Sequence, residues 1–257
     1  MKIAILGAGA FGTALGGVLA DNGYDIDYYD SRLENERLSD VIAGAKYTIL
    51  CVPSGSAPYV LPHLPGDRSL IVATKGILSG AEFNRFNDVM ALSGPGFADD
   101  IKARKQTILT VTDARAAELF RADYMEFEVT DDFTGVLMCG ALKNVYAILA
   151  GLKNLQRDSR EWHDYIKQAA SEMRELLAAN KADPATVGLA CGIGDLELTC
   201  GYPSRNYEYG ALLRQDPDCK PSKTVEGLSA LKRIERGEIK VPGGLKLLEE
   251  VRNGLKR

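Results

Sequence analysis

Residues 139–151 read CGALKNVYAILAG, apolar or small nearly throughout, yet Lys143 stands in their midst. A long cation in an apolar helix either snorkels its ammonium to water or is held there for a task. On a helix, Cys139, Leu142, Tyr146 and Leu149 share the neighbourhood of Lys143, which desolvates the ammonium. Desolvation lowers a lysine's pKa and brings proton exchange within reach of neutral pH; a nearby carboxylate opposes that shift. The chain has two histidines, His63 and His163, and neither sits near a serine or cysteine nucleophile motif. A triad hydrolase is thereby disfavoured, and any proton transfer falls to a lysine or a carboxylate.

Three later stretches offer partners to this lysine. GIGDLELTC, residues 192–200, carries Asp195 in a glycine-flanked turn, where it serves either as a helix N-cap or as the carboxylate that holds Lys143. GYPSRNYEYG, residues 201–210, reads as a loop containing Ser204, Arg205 and Asn206. The planar fork of Arg205 suits a phosphate, and a solvated loop arginine is the plainer alternative. TVEG, residues 224–227, puts Glu226 at a helix start, where a carboxylate also simply satisfies the helix dipole.

A second centre of chemistry lies at the start of the chain. KIAIL is a short strand-type run, followed by Gly7-Ala8-Gly9-Ala10-Phe11-Gly12 and then by TALGGVLADNG, a helix closed by Gly23. Strand, glycine turn and helix in that order give a G-x-G-x-x-G match its meaning. Gly7 permits the tight turn, Gly9 lets a pyrophosphate approach the backbone, and Gly12 allows close helix–strand packing. The phosphates would sit on free amides at the helix start. YDIDYYD follows as a second strand ending at Asp30. An acidic residue there takes the ribose 2′-hydroxyl and favours NAD. Arg32, two residues on, suits the 2′-phosphate of NADP instead, so the cofactor is NAD or NADP.

The elements that must position these residues alternate through the front half. LENERLSDVIAG reads as a helix, YTILCVP and SLIVATKG as the third and fourth strands, and DVMALS, residues 88–93, as the fifth. A loop and a helix from Phe97 lead to a further strand over 107–112 and the helix ARAAELFRA. Such alternation implies an α/β fold, a Rossmann-type doubly wound and mostly parallel sheet. Ligands in these sheets lie beyond the carboxyl ends of the strands, which makes Pro53-Ser54, Thr74-Lys75-Gly76 and Ser93-Gly94-Pro95 edges of the expected site. From about residue 131 strand character is lost. The expected organisation is a dinucleotide-binding domain over 1–130 and a mostly helical substrate-binding and catalytic domain over 131–257.

The bulk numbers exclude several classes. A net charge of −4 without a long basic run argues against nucleic acid as a partner. Five cysteines form no C-x-x-C pair, so reduced thiols in a cytoplasmic protein are expected, with no metal site. Residues 3–20 lack charge but hold five glycines, which fits the nucleotide turn better than a signal peptide or a span, so no membrane insertion is expected.

Taken together, GAGAFGTAL, VATKG, SGPGFA, GALKNVYAILAG, GIGDLELTC, SRN and TVEG follow the order seen in NAD(P)-dependent glycerol-3-phosphate dehydrogenases. The chain resembles that family from residue 3 to about residue 227. The resemblance implies interconversion of sn-glycerol 3-phosphate and dihydroxyacetone phosphate, a small phosphorylated substrate that feeds glycerophospholipid synthesis. It further implies that Lys143 is the general acid/base at the substrate C2 oxygen, with Lys75 polarising that oxygen and Asp195 the third catalytic group. Substrate contacts implied are Lys75, Gly94, Lys143, Asn144, Asp195, Thr199, Ser204, Arg205 and Asn206. Cofactor contacts are Gly7, Gly9, Ala10, Phe11, Gly12, Asp30, Arg32, Pro53, Lys75, Ala98, Arg205 and Glu226. Two other readings share the build: a hydroxyacid or imine reductase, and a dinucleotide-binding homologue without turnover. Relatives are longer, the stretch from the second strand to YTILCVP is short, Gly96 stands where relatives usually carry serine, and the helical region ends early. The oligomeric state is left open, a homodimer included.

Overall fold

The computed structural model describes residues 1–33, 37–77, 79–201 and 203–255. They divide into two compact units, Met1–Thr74 with Gly80–Phe133, and Lys75–Ser79 with Thr134–Arg257.

The first unit runs β1 (Lys2–Leu6), α1 (Ala10–Asp21), β2 (Asp25–Tyr29), α2 (Leu38–Ile42), β3 (Tyr47–Leu50), α3 (Ala57–Val60), β4 (Ser69–Val72), β5 (Asp88–Ser93), α4 (Ala98–Lys102), β6 (Thr107–Val111), α5 (Ala114–Leu119) and β7 (Met125–Val129). Its seven strands form one sheet in the order β2-β1-β3-β4-β5-β6-β7. Every pair is parallel except β5 with β6. Ile3 to Leu6 and Ile49 with Leu50 are fully buried, as unbroken apolar runs in parallel sheets are. Because β1 lies between β2 and β3, the strand order reverses there, and the crevice at such a switch point is where nucleotide ligands bind.

Three expectations need correction. The helix expected over 33–44 is the short α2, and residues 34–36 of that stretch lie outside the described residues. β7 was not anticipated; its Glu126 and Glu128 alternate with Met125 and Phe127, and the charges disguise a strand at the sheet edge. The loop expected over 201–210 is broken by a helix from Arg205, and its Tyr202 is outside the described residues. Ser204 starts that helix by accepting a bond from the Tyr207 amide, a cap that tips a polar stretch into a helix.

The second unit is helical: α6 (Phe133–Leu152), α7 (Arg160–Ala179), a 3₁₀ turn over Pro184–Gly188, a π-type turn over Ala190–Gly194, α8 (Asp195–Thr199), α9 (Arg205–Gln215), α10 (Glu226–Glu235) and α11 (Lys246–Gly254). α6 is long and apolar enough to cross a membrane, but 94% of its most apolar window is buried inside the protein. A helix apolar all round belongs in a core. Glycines let its neighbours come close. A Cβ at Gly151 would stand 1.9 Å from the Tyr207 carbonyl oxygen, one at Gly210 1.9 Å from that of Ile148, and one at Gly227 2.5 Å from that of Asn144. α9 and α10 therefore touch α6 backbone to backbone. On the opposite side, the buried Glu172 of α7 accepts the Leu247 and Leu248 amides at 2.7 and 3.1 Å, capping α11.

Gly210→Ala is expected to lower the unfolding free energy by about 1–3 kcal/mol through overpacking. Gly17→Ala, where a Cβ meets nothing within 4 Å, serves as the control and should leave stability equal or slightly raised. Urea titrations of both variants check this, and equal midpoints would show that α9 does not need the close approach.

Candidate active site

The second unit brings four of the expected residues into one network. Lys143 is 3% exposed, and its Nζ forms an ion pair with Asp195 Oδ1 and donates to Thr199 Oγ1 at 3.0 Å. The Thr199 hydroxyl lies 3.4 Å from Asp195 Oδ1. Lys75, grouped with this unit rather than with the strand it follows, donates to Asp195 Oδ2 at 3.3 Å and keeps its side chain 23% exposed. One buried carboxylate thus holds two ammonium groups. The π-type turn delivers it: after Gly194 the chain enters α8 with Asp195 first, and no N-capping bond is made by the Gly194 side. The role of Asp195 is therefore that of a counter-ion, not a cap. Burial brings the Lys143 pKa down to about 7; the Asp195 charge works against that fall and the Lys75 charge adds to it.

A second chain of bonds fixes the residues beside the lysine. Asn144 donates to the Gly140 carbonyl at 3.0 Å and accepts from Asn206 Nδ2 at 2.8 Å. Asn206 Oδ1 in turn accepts the Gly227 amide at 3.0 Å. This line ties α6 to α9 and α10. Ser204 is buried, donating to the Thr199 carbonyl and capping α9. Arg205, beside it, is exposed on the first turn of α9, and Glu226 opens α10. The Gly227 amide is a partner that no sequence signal announces, since it depends on how α9 and α10 meet.

In the first unit the glycine turn has the features that a dinucleotide requires. Gly7 has φ +109°, and a Cβ on it would stand 2.7 Å from the Cys51 carbonyl. A Cβ on Gly12 would meet the Gly7 oxygen at 2.1 Å, whereas one on Gly9 would meet nothing within 4 Å. No side chain caps α1 at Gly9 and no acidic residue lies in its first turn, and the space beside Gly9 is open, so the positive end of the helix dipole adjoins room for an anion. The residues fit a pyrophosphate. Asp30 follows β2 directly and accepts the Ala8 amide at 3.0 Å. Arg32 grips the same carboxylate, Nε to Oδ1 at 2.7 Å and Nη2 to Oδ2 at 2.6 Å. That guanidinium holds the Asp30 pKa down to about 2. Pro53 follows β3, Gly94 (φ +148°) follows β5, and Ala98 opens α4. Around Gly96 a Cβ would meet Thr107, Leu109 and Ile101 side chains at 3.2–3.4 Å, so the glycine serves close packing.

A switch-point sheet with a pyrophosphate-ready turn, joined to helices holding a buried lysine–carboxylate pair, defines a Rossmann-type oxidoreductase. Residues 132–253 match the family model for the NAD-dependent glycerol-3-phosphate dehydrogenase C-terminus. The chain is 32% identical over 266 residues to the glycerol-3-phosphate dehydrogenase [NAD(P)+] of Desulfotalea psychrophila, covering 82% of this chain and 78% of that one. It is 30% identical to the enzyme of that name from Leptospira biflexa, over 92% and 85% of the two chains. The chain belongs to the NAD(P)-dependent glycerol-3-phosphate dehydrogenase family. The crystal structure of glycerol-3-phosphate dehydrogenase from Coxiella burnetii shares its fold, with a TM-score of 0.83, 24% identity, and 99% and 94% of the chains covered.

Between about pH 7 and the ordinary lysine value of 10.5, the unfolded chain holds a proton that folded Lys143 has released, so stability climbs with pH across that window. At pH 6 the buried pair is ion against ion; at pH 9 it is amine against carboxylate. Asp195→Asn is expected to lower the unfolding free energy by about 3 kcal/mol at pH 6 and by less at pH 9. Urea titrations at both values test this, and an equal loss would show that Lys143 stays charged throughout.

Proposed function

We propose that this chain interconverts sn-glycerol 3-phosphate and dihydroxyacetone phosphate, with Lys143 as the group that moves the proton. The observation that carries the reading is the Lys143–Asp195–Thr199–Lys75 network, built from the stretches that carry the family resemblance. The dinucleotide, when bound, supplies or accepts the hydride. The residues of this chain handle the rest. In the oxidation, neutral Lys143 accepts the proton of the C2 hydroxyl as the C2–H electron pair leaves; in the reduction, its ammonium returns a proton to the C2 oxygen. Asp195 and Thr199 are positioning residues that hold Nζ in one place. Lys75, the more exposed cation, polarises the same oxygen.

Arg205 and Asn206 at the start of α9 take the substrate phosphate, and the α9 dipole favours that anion. Ser204 and Asn144 orient them, and Gly94 lies against the substrate. Gly7, Gly9, Ala10, Phe11, Gly12, Pro53, Ala98 and Glu226 line the dinucleotide. The first unit is thus the cofactor domain and the second the substrate domain. The product supplies the glycerol backbone of phospholipids, and the five free thiols support a reducing, cytoplasmic setting.

Lys143→Ala is expected to lower kcat by about 100-fold or more while the dissociation constant for the dinucleotide stays within twofold. In the wild-type protein, reduction of dihydroxyacetone phosphate should slow as pH rises through about 7 and glycerol 3-phosphate oxidation should quicken, following the Lys143 proton. The reduced-nicotinamide absorbance, lost in the reduction and gained in the oxidation, followed across roughly pH 5.5–9, checks both. Undiminished turnover in Lys143→Ala would refute the assignment.

A further inference from the structure

The ion pair of Lys143 and Asp195 joins two elements of unequal strength. α6, which carries the lysine, is 20 residues long; α8, which carries Asp195 and Thr199, is a single turn of 5. A helix that short does not hold itself, and its last carbonyls have no partner within it. A group outside α8 must therefore fix where its carboxylate stands.

α7 supplies that group from two side chains one turn apart. Trp162 and Tyr165 are 3% and 6% exposed and, at a spacing of three, share one face of the helix. Trp162 Nε1 donates at 3.2 Å to the carbonyl of Cys200, the residue that closes α8 directly after Thr199. Tyr165 Oη donates at 2.6 Å to the carbonyl of Tyr146, three residues beyond Lys143 on α6. A carbonyl has two lone pairs, so it takes this hydroxyl without giving up a helical bond. The Tyr146 hydroxyl in turn donates to Glu172 Oε2 at 3.2 Å, further along α7. α6 and α8 are thus both held by their backbones from one short stretch of a third helix.

We infer that Trp162 and Tyr165 are positioning residues for the proton transfer: from one face of α7 they set the separation of α8 from α6, and with it the contact between Asp195 and Lys143. The consequence for turnover rests on the reading of Lys143 as the proton carrier given above; the positioning itself needs no substrate. The charged groups that face Lys143 are Asp195 and Lys75, and the nearby Cys200 thiol is pushed up by burial and stays protonated. If α8 recedes, the carboxylate leaves this set while burial and Lys75 remain, and the balance moves toward the amine.

Both donors can be deleted with little change of shape. Trp162 is the one tryptophan of the chain, so growth with benzothienylalanine in place of tryptophan alters this residue alone, exchanging N–H for sulfur in a ring of the same outline. Tyr165→Phe removes one hydroxyl. Asn180→Ala, which unties the far end of α7 from the backbone of Lys240, is the control for general loosening. The Lys143 Nζ midpoint is followed by NMR in the free proteins, and kcat and KM for dihydroxyacetone phosphate are measured across pH. Each donor deletion should lower the Nζ midpoint and reduce kcat about fivefold, with KM within about twofold. Asn180→Ala should leave the midpoint in place. A midpoint that stays or rises in either donor deletion that folds, or that falls equally in Asn180→Ala, would overturn the inference whatever happens to kcat. A wild-type protein that does not turn over dihydroxyacetone phosphate would remove the proposed reaction, and the Nζ midpoints would still decide the positioning.

Discussion

An ammonium taken out of water must meet a counter-charge within hydrogen-bond reach, and the helical unit is arranged around that demand at Lys143. Asp195 answers it, Thr199 supplies a further acceptor, and Lys75 shares the same carboxylate. α6 can carry the lysine deep into the unit because Gly151, Gly210 and Gly227 let α9 and α10 lie against it with no side chain between. The Asn144–Asn206–Gly227 line then fixes the three helices in register. The result is a lysine whose two protonation states are close in free energy near neutral pH. Burial and Lys75 push toward the amine and outweigh Asp195, which pushes toward the ammonium.

The first unit meets its anion by other means. There the positive end is made of backbone: no side chain caps the α1 start, and the space beside Gly9 is open. β2 lies at one edge of the sheet, with β1 between it and β3. In both units a carboxylate acts as a holder of cations. Asp195 keeps its lysine buried and titratable; Asp30 keeps its arginine exposed and charged.

Much of this was legible from the residues. KIAIL and DVMALS coincide with β1 and β5 to the residue, because short runs with an apolar centre, each ended by a glycine, leave little ambiguity. The glycine turn and the anomalous lysine were readable for the same reason: each breaks a local rule, and broken rules mark function. What escaped depended on tertiary context. β7 hides behind alternating glutamates at a sheet edge. α9 looks like a loop because Gly210 and a run of polar residues are tolerated there only by the close approach to Ile148. Asp30 and Arg32 looked like opposed signals when read as separate letters, and only their bidentate geometry shows them as one device. That Lys75 belongs with the helices and not with the strand before it has no sequence signature at all.

The protonation balance at Lys143 is the claim on which the chemistry rests, and it can be observed directly. With lysine side-chain nitrogen labelled, the Nζ chemical shift of Lys143 is followed by NMR across pH in the free protein, Lys143→Met providing the assignment. The expected midpoint is about 7, moving lower when Asp195 is replaced by asparagine. A midpoint at the ordinary lysine value of 10.5, unmoved by that replacement, would mean that Lys143 is a structural cation and that the proton of the reaction is carried elsewhere.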